Sequence, residues 1–171
     1  ADQLARKAFS NFGGSDLVEL KRQLLPRLVQ IDNFNRRRLK VLLKDREWFC
    51  ISEYGTRADQ QAWLLVQHAD TDPEFQREIL LRLERLVLSG ETDKKNFAYL
   101  SDRVACSYND PARRVPQTYG TQGTITDGVW NPFPIADPGE VDERRAAVGL
   151  GPLSEYTAHM NQMFGRKWFV R

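Results

Sequence analysis

Histidine and cysteine are scarce, with two of each in 171 residues. His68 and His159 are far apart in the chain, and Cys50 and Cys106 have neither a His neighbour nor C-x-x-C spacing. A zinc centre draws its ligands from compact Cys/His groups, so no metal site is read here, and no cofactor motif takes its place. The two cysteines leave two alternatives open: one disulfide, or two reduced thiols in a core. Long apolar runs are lacking as well. The longest is Ala62-Trp63-Leu64-Leu65-Val66, far below the roughly 20 residues that span a bilayer. No apolar stretch with basic flanks and a small-residue cleavage site opens the sequence. These absences set the expectations of no membrane partner and a cytoplasmic location. Also missing are a phosphate loop, a dinucleotide fingerprint, a nucleophile elbow, an internal repeat and a low-complexity tract.

An excess of one charge is absent too. Lys and Arg number 25 against 23 Asp and Glu, a net charge of +2 that does not make nucleic acid the default partner. The basic residues are nonetheless uneven, 18 Arg to 7 Lys, with a dense point at Arg36-Arg37-Arg38 and pairs at Arg113-Arg114 and Arg144-Arg145. Such clusters either grip phosphate or carboxylate through bidentate forks or form a solvated helix face with acidic neighbours.

What is present is helical periodicity. Hydrophobic residues make up 41% and charged residues 28%, the balance of an ordinary globular protein. Asp16 and Glu19 resemble a capping box for Leu17 to Leu25, and Pro26 either kinks that helix or begins the next. From Leu28 a long helix carries the Arg triplet, and Glu47 to Gly55 reads as a structured loop. Ala58, Ala62, Leu65, Val66 and Ala69 then share one side of a helix central to the core. Asp72-Pro73-Glu74 combines an N-cap, a first-turn Pro and an acid, and starts a helix that stops at Ser89-Gly90. Thr92 or Asp93 caps another, with Phe97, Leu100 and Val104 on its core side.

After Pro111 the period changes. Gln117 to Thr126 alternates as a strand, Asp127-Gly128 is a hairpin turn, and Val129 to Ile135 returns, short or at an edge because of Pro132 and Pro134. Asp137-Pro138 opens a helix through Val148, and a last helix runs from about Ser154. The expected fold is mainly α (α+β): a helical, bundle-like domain with one antiparallel β-hairpin. Without a linker the expectation is a single globular domain over residues 1–171, with residues 1–14 as an arm and 159–171 as a tail that docks through Trp168-Phe169.

Several runs together resemble the signature of a widespread bacterial domain family of unknown function. They are Ala62 to Asp70 with Asp72-Pro73 and Phe75-Gln76, then Ala98-Tyr99-Leu100 and Asp102-Arg103-Val104. Gln117, Tyr119-Gly120-Thr121-Gln122, Pro134, Asp137-Pro138 and Val141-Asp142 follow in order. Arg144 to Leu150, Pro152-Leu153 and Glu155-Tyr156 close the match. Asp32, Asn35 and Leu39-Lys40 resemble the family's leading helix, so the similarity spans about residues 28 to 158. It departs at Glu47-Trp48-Phe49, where the family usually has Gly-Trp-Pro. The resemblance implies a domain and brings no activity with it.

Candidate chemistry falls in three segments. His68 ends the apolar helix, and an imidazole with a reference pKa near 6.5 is the natural general acid or base. Gln67 precedes it and Asp70 follows. The three do not share a helix face, so Asp70 is expected to turn back from the loop toward His68. Asp102 would orient the imidazole, and Arg103 would bind an anionic group. Gln117, Tyr119 and Gln122 are neutral hydrogen-bonders suited to polar recognition or to stabilising developing negative charge. The expectation is that these residues meet in one solvent-reachable pocket, with His68, Asp102 and Tyr119 catalytic and Gln67, Asp70, Arg103, Gln117 and Gln122 binding ligand. Three functions fit: a metal-independent, hydrolase-like acid–base enzyme on a small polar or anionic substrate; a non-catalytic ligand- or protein-binding domain; or a nucleic-acid-binding, nuclease or toxin-like domain. For each residue a plain structural role, as cap, ion pair or cross-strand packing, is the competing reading.

Overall fold

The structure, a computed structural model, describes residues 15–107 and 115–164. Among these residues are six helices and one two-stranded antiparallel sheet. The helices are α1 (Ser15–Leu42), α2 (Ile51–Gln67), α3 (Pro73–Leu88), α4 (Lys94–Cys106), α5 (Val141–Ala147) and α6 (Leu153–Phe164); β1 (Gly123–Thr126) and β2 (Val129–Pro132) form the hairpin. The expected mainly helical fold with a single hairpin is therefore what the chain adopts. No described helix is long and apolar enough to cross a membrane. Cys50 and Cys106 are not joined in a disulfide. The expected N-terminal arm, the Arg113-Arg114 pair and the Trp168-Phe169 tail lie outside the described residues, whereas positions 159–164 continue α6.

The core joins the C-terminal half of α1 to α2, α3 and α4. Leu39 and Leu43 from α1, Ala62 and Val66 from α2, Phe75, Ile79, Leu83 and Leu86 from α3, and Leu100 from α4 are buried together with Trp48 and Ala69. Within it sits a carboxylate. Asp59 on α2, 1% exposed, accepts from Trp48 Nε1 at 2.7 Å, Thr92 Oγ1 at 2.6 Å, Asp93 N–H at 3.1 Å and Asn96 Nδ2 at 2.9 Å. A buried carboxylate persists only with its lone pairs occupied, and here four donors from two segments tie the α1–α2 and α3–α4 connections together. Trp48 is thus the useful residue of Glu47-Trp48-Phe49, while Phe49 packs edge-on against Tyr54 at 5.4 Å.

Three boundaries differ from expectation. Pro26 lies inside an unbroken α1. The loop expected over residues 47–55 becomes helical at Ile51, because the Cys50 carbonyl accepts from Glu53 and Tyr54 and the Glu91 carboxylate takes the Ser52 N–H at 2.9 Å. Gly55 (φ 78°, ψ 163°) then breaks this first turn from the rest of α2, a backbone state open to glycine. The helix expected from Asp137 begins instead with a 3-10 turn, Pro138–Glu140, before α5.

The hairpin turns at Asp127-Gly128, both with positive φ (51° and 75°), and Thr126 faces Val129 across it. This is the primed-turn geometry that matches strand twist.

Asp72 couples α1 to α3. Its carboxylate caps α3 through the Phe75 N–H at 3.2 Å and pairs with Lys40 at 2.6 Å and Arg36 at 3.5 Å. Burial pushes its carboxyl up, but Lys40, the Phe75 amide and Arg36 outweigh burial and hold it below its ordinary 3.8. A carboxylate with a depressed folded-state pKa stabilises the fold above its unfolded value and loses that contribution as pH falls through the folded one. Wild-type urea midpoints should therefore drop more steeply below about pH 4 than those of Asp72→Asn, which keeps a capping side chain. At neutral pH, Asp72→Ala should cost about 1 kcal/mol. Parallel acid limbs for wild type and Asp72→Asn would remove Asp72 from the acid response.

Candidate functional site

Between α2, α4, α6 and the hairpin lies a cavity of about 290 Å³. Trp63, Leu64, Gln67 and His68 line it from the end of α2, and Tyr99 and Arg103 from α4. Thr121, Gln122 and Gly123 lead into β1 along its edge, Trp130 comes from β2, and Tyr156 and Met160 from α6. The α2 and α4 residues fall at i, i+4 spacing, which puts each set on one helix face. The aromatic rings form a chain of edge-to-face contacts: Trp63–Tyr99 at 6.0 Å, Tyr99–Tyr156 at 6.3 Å and Tyr156–Trp130 at 5.6 Å. None of these rings stacks in parallel on its neighbour.

Of the expected site residues, Gln67, His68, Arg103 and Gln122 share this cavity. Asp70 sits one bond away. Its exposed carboxylate pairs with Arg103 NH1 at 2.9 Å and accepts from Gln76 Nε2 at 3.4 Å. Arg103 thus pairs with Asp70, not with its neighbour Asp102.

Asp102, expected to orient the imidazole, does other work. It is 0% exposed, and its two oxygens accept from Thr118 N–H (2.8 Å), Tyr119 N–H (3.0 and 3.2 Å), Thr121 N–H (2.9 Å) and Thr121 Oγ1 (2.9 Å). With both oxygens so occupied, Asp102 serves the loop that follows α4 and is sealed from the cavity.

The same contacts correct the reading of Gln117 to Thr126 as one strand. Pulling the N–H groups of Thr118, Tyr119 and Thr121 toward one carboxylate curls the backbone, helped by Gly120 at φ 71°. Regular pairing starts only at Gly123, and Gln117 makes an isolated parallel bridge to Ile135. Alternation therefore does not sort these side chains. Gln117, 0% exposed, donates to the carbonyls of Gln122 (2.8 Å) and Phe133 (2.9 Å) and accepts from Gln122 N–H (2.8 Å). Its amide splices the loop to the hairpin and is not on the cavity wall. Tyr119 is half-buried away from that wall, and burial, with the Asp102 charge, pushes its phenol up.

Two arginines hold the outer side of this loop. Arg144 donates to the carbonyls of Thr118 (3.0 Å), Ala136 and Asp137 (3.1 Å). Arg145, 1% exposed, donates to the carbonyls of Tyr119 (2.6 Å) and Gly151 (2.6 Å), and its guanidinium lies 5.0 Å from the Tyr156 ring centre. Tyr156 in turn donates to the Thr121 carbonyl at 3.1 Å, and burial raises its phenol far above the ordinary range. Gly123 is needed for closure: a Cβ there would meet the Asn131 carbonyl at 2.3 Å and the Trp130 ring at 2.5 Å.

The aromatic wall was not among the expected site residues. Trp63 shares the helical spacing of the core, and only the position of α4 and α6 turns it toward a cavity. No group of three or more His, Cys, Asp or Glu among the described residues could hold a metal ion.

Fold and site together define a helical domain with a hairpin-flanked, aromatic and basic cavity. The chain belongs to a family of unknown function, DUF6624, which matches it over residues 1–169. No curated protein and no solved structure matches it.

Asp102→Ala would leave three buried or partly buried N–H groups without their acceptor, each costing about 1–3 kcal/mol and not additively. The expected loss is roughly 3–5 kcal/mol in urea unfolding. Amide exchange at Thr118, Tyr119 and Thr121 should quicken together; a stable variant with unchanged exchange would deny Asp102 this role.

Proposed function

We propose that this domain binds a small molecule with a flat, apolar body and an anionic or carbonyl-bearing group in the cavity between α2, α4, α6 and the hairpin. The observation that carries this reading is the composition of the walls: four aromatic residues, two amides, one guanidinium and one imidazole, with no carboxylate. A volume of about 290 Å³ is at the small end of ligand pockets, roughly 300–1,000 Å³, which favours a compact ligand. Aromatic walls supply contact area, and a few polar groups fix orientation. Arg103 gives an oxyanion a charged partner whose present mate, Asp70, is solvent-exposed and exchangeable.

A second reading rests on His68. An imidazole on the wall beside Arg103 supports acid–base, hydrolase-like chemistry on such a ligand. The sealed position of Asp102 takes away the orienting carboxylate this chemistry was expected to use, so binding is the better-supported function. Nucleic-acid binding has less support. Arg36 is engaged with Thr71 and Asp72, and Arg144 and Arg145 with backbone carbonyls.

Trp63 and Trp130 on the wall make intrinsic fluorescence the direct assay. Titration with benzoate, a minimal flat anion, should change the emission saturably. Arg103→Gln should weaken binding about 10- to 100-fold, the equivalent of a charge-assisted hydrogen bond of about 1.5–3 kcal/mol. Binding that survives Arg103→Gln, or amide shifts that map away from α2 and α4, would overturn the assignment of this cavity.

A further inference from the structure

Four buried side-chain polar atoms among the described residues lack a hydrogen-bond partner: Arg46 Nε, Trp63 Nε1, Gln67 Oε1 and Arg103 Nε. Three of the four belong to walls of one cavity. Native proteins satisfy nearly all buried polar groups, so such a concentration asks for a cause, and a functional role and a bound partner such as water or an ion are recognised ones. Gln67 carries the argument best. It is 4% exposed, and its backbone carbonyl is already met by Gln76 Nε2 at 3.5 Å. Its side-chain acceptor has no protein donor.

Trp63 and Gln67 stand one turn apart on α2 and therefore share a face. One offers an N–H donor and the other a C=O acceptor. Their complement is a group presenting a carbonyl oxygen and an N–H side by side, as in a cis-amide, lactam or imide. Arg103, across the cavity on α4, adds an Nε–H donor and a positive charge for an oxyanion at the ligand's other end. The rings of Trp63, Tyr99 and Trp130 favour a planar body between these two ends. The terminal amide torsion of Gln67 is soft, so the acceptor can turn to a ligand without moving α2.

We infer that the cavity recognises a planar nitrogen heterocycle with a lactam or imide edge and an oxyanion substituent, its edge read by Trp63 and Gln67 and its anion by Arg103. This rests on the small-molecule reading above and narrows its ligand class.

The test compares 6-carboxyuracil with benzoate on the full chain. Both are flat carboxylates, and only the first has the amide edge. By tryptophan fluorescence and calorimetry, 6-carboxyuracil should bind at least tenfold tighter than benzoate. Gln67→Leu should erase that preference, and it should hold or raise the melting temperature, because it removes an unsatisfied buried acceptor. Trp63→Phe should reduce the preference by severalfold. Equal binding of the two probes, or a preference that survives Gln67→Leu, overturns the lactam inference while the cavity remains a binding site. A large drop in melting temperature for Gln67→Leu also overturns it, because Gln67 would then be structural. Binding of neither probe overturns the inference and the small-molecule reading together.

Discussion

The grip of Asp102 on the backbone of Thr118, Tyr119 and Thr121 is the constraint on which the candidate site depends. It joins the helical body to the hairpin with backbone donors, which hold a position more tightly than side chains of many rotamers could. A carboxylate taken out of water must be met by donors close at hand, and three N–H groups and a hydroxyl meet this one. Arg144 and Arg145 take carbonyls of the same loop. The peptide groups of Thr118 to Tyr119 thus lie between a buried negative charge and two guanidinium groups, an arrangement that polarises them in one sense. Thr121, Gln122 and Gly123, which follow at once, form the hairpin edge of the cavity. Without the grip on residue 102, that edge has no fixed distance from α2 and α4.

The helices were legible because their signals are local. Asp72-Pro73 caps and starts α3, and Gly90 ends it with a positive φ, as side chain and backbone preference dictate within a few residues. Asp127-Gly128 set the hairpin for the same reason. The stretch from Gln117 to Gln122 was misread as strand because its alternation is real but outweighed. The decisive partner stands 16 to 19 residues earlier, on α4. Nothing in the segment itself announces that a carboxylate will bend it. Pro26 left a kink and a new helix both open, and α1 runs through it, so it does not begin a new helix.

Site residues divide along a similar line. Gln67, His68, Arg103 and Gln122 were legible as polar residues beside core positions, and they share a cavity. Asp102, Gln117 and Tyr119 carry the same polar character but lie elsewhere, because in a core a polar side chain more often serves the backbone than a ligand. The aromatic residues were invisible as site residues for the converse reason. Trp63, Tyr99 and Tyr156 sit at spacings shared by core positions, and burial against a cavity differs from burial against a neighbour only in three dimensions.

The end of α2 shows how one helix terminus can serve both fold and cavity. A helix that stops inside a protein leaves carbonyls without intrahelical donors, which must find other partners. The Val66 carbonyl accepts from the Ala69 N–H at 3.0 Å, and Gln76 from α3 donates its amide to the carbonyls of Val66 and Gln67, at 3.0 and 3.5 Å, and to the Asp70 carboxylate at 3.4 Å. Gln76 is itself buried beside Phe75 in the first turn of α3, so the Asp72 cap that starts α3 also positions the amide that finishes α2. The backbone of Gln67 is therefore satisfied from within the fold. Its side-chain oxygen then has no protein donor, and the indole N–H of Trp63 one turn before it has no protein acceptor. A polar group that the fold neither uses nor exposes is costly to keep, and both residues belong to the wall of the cavity that Arg103 also lines.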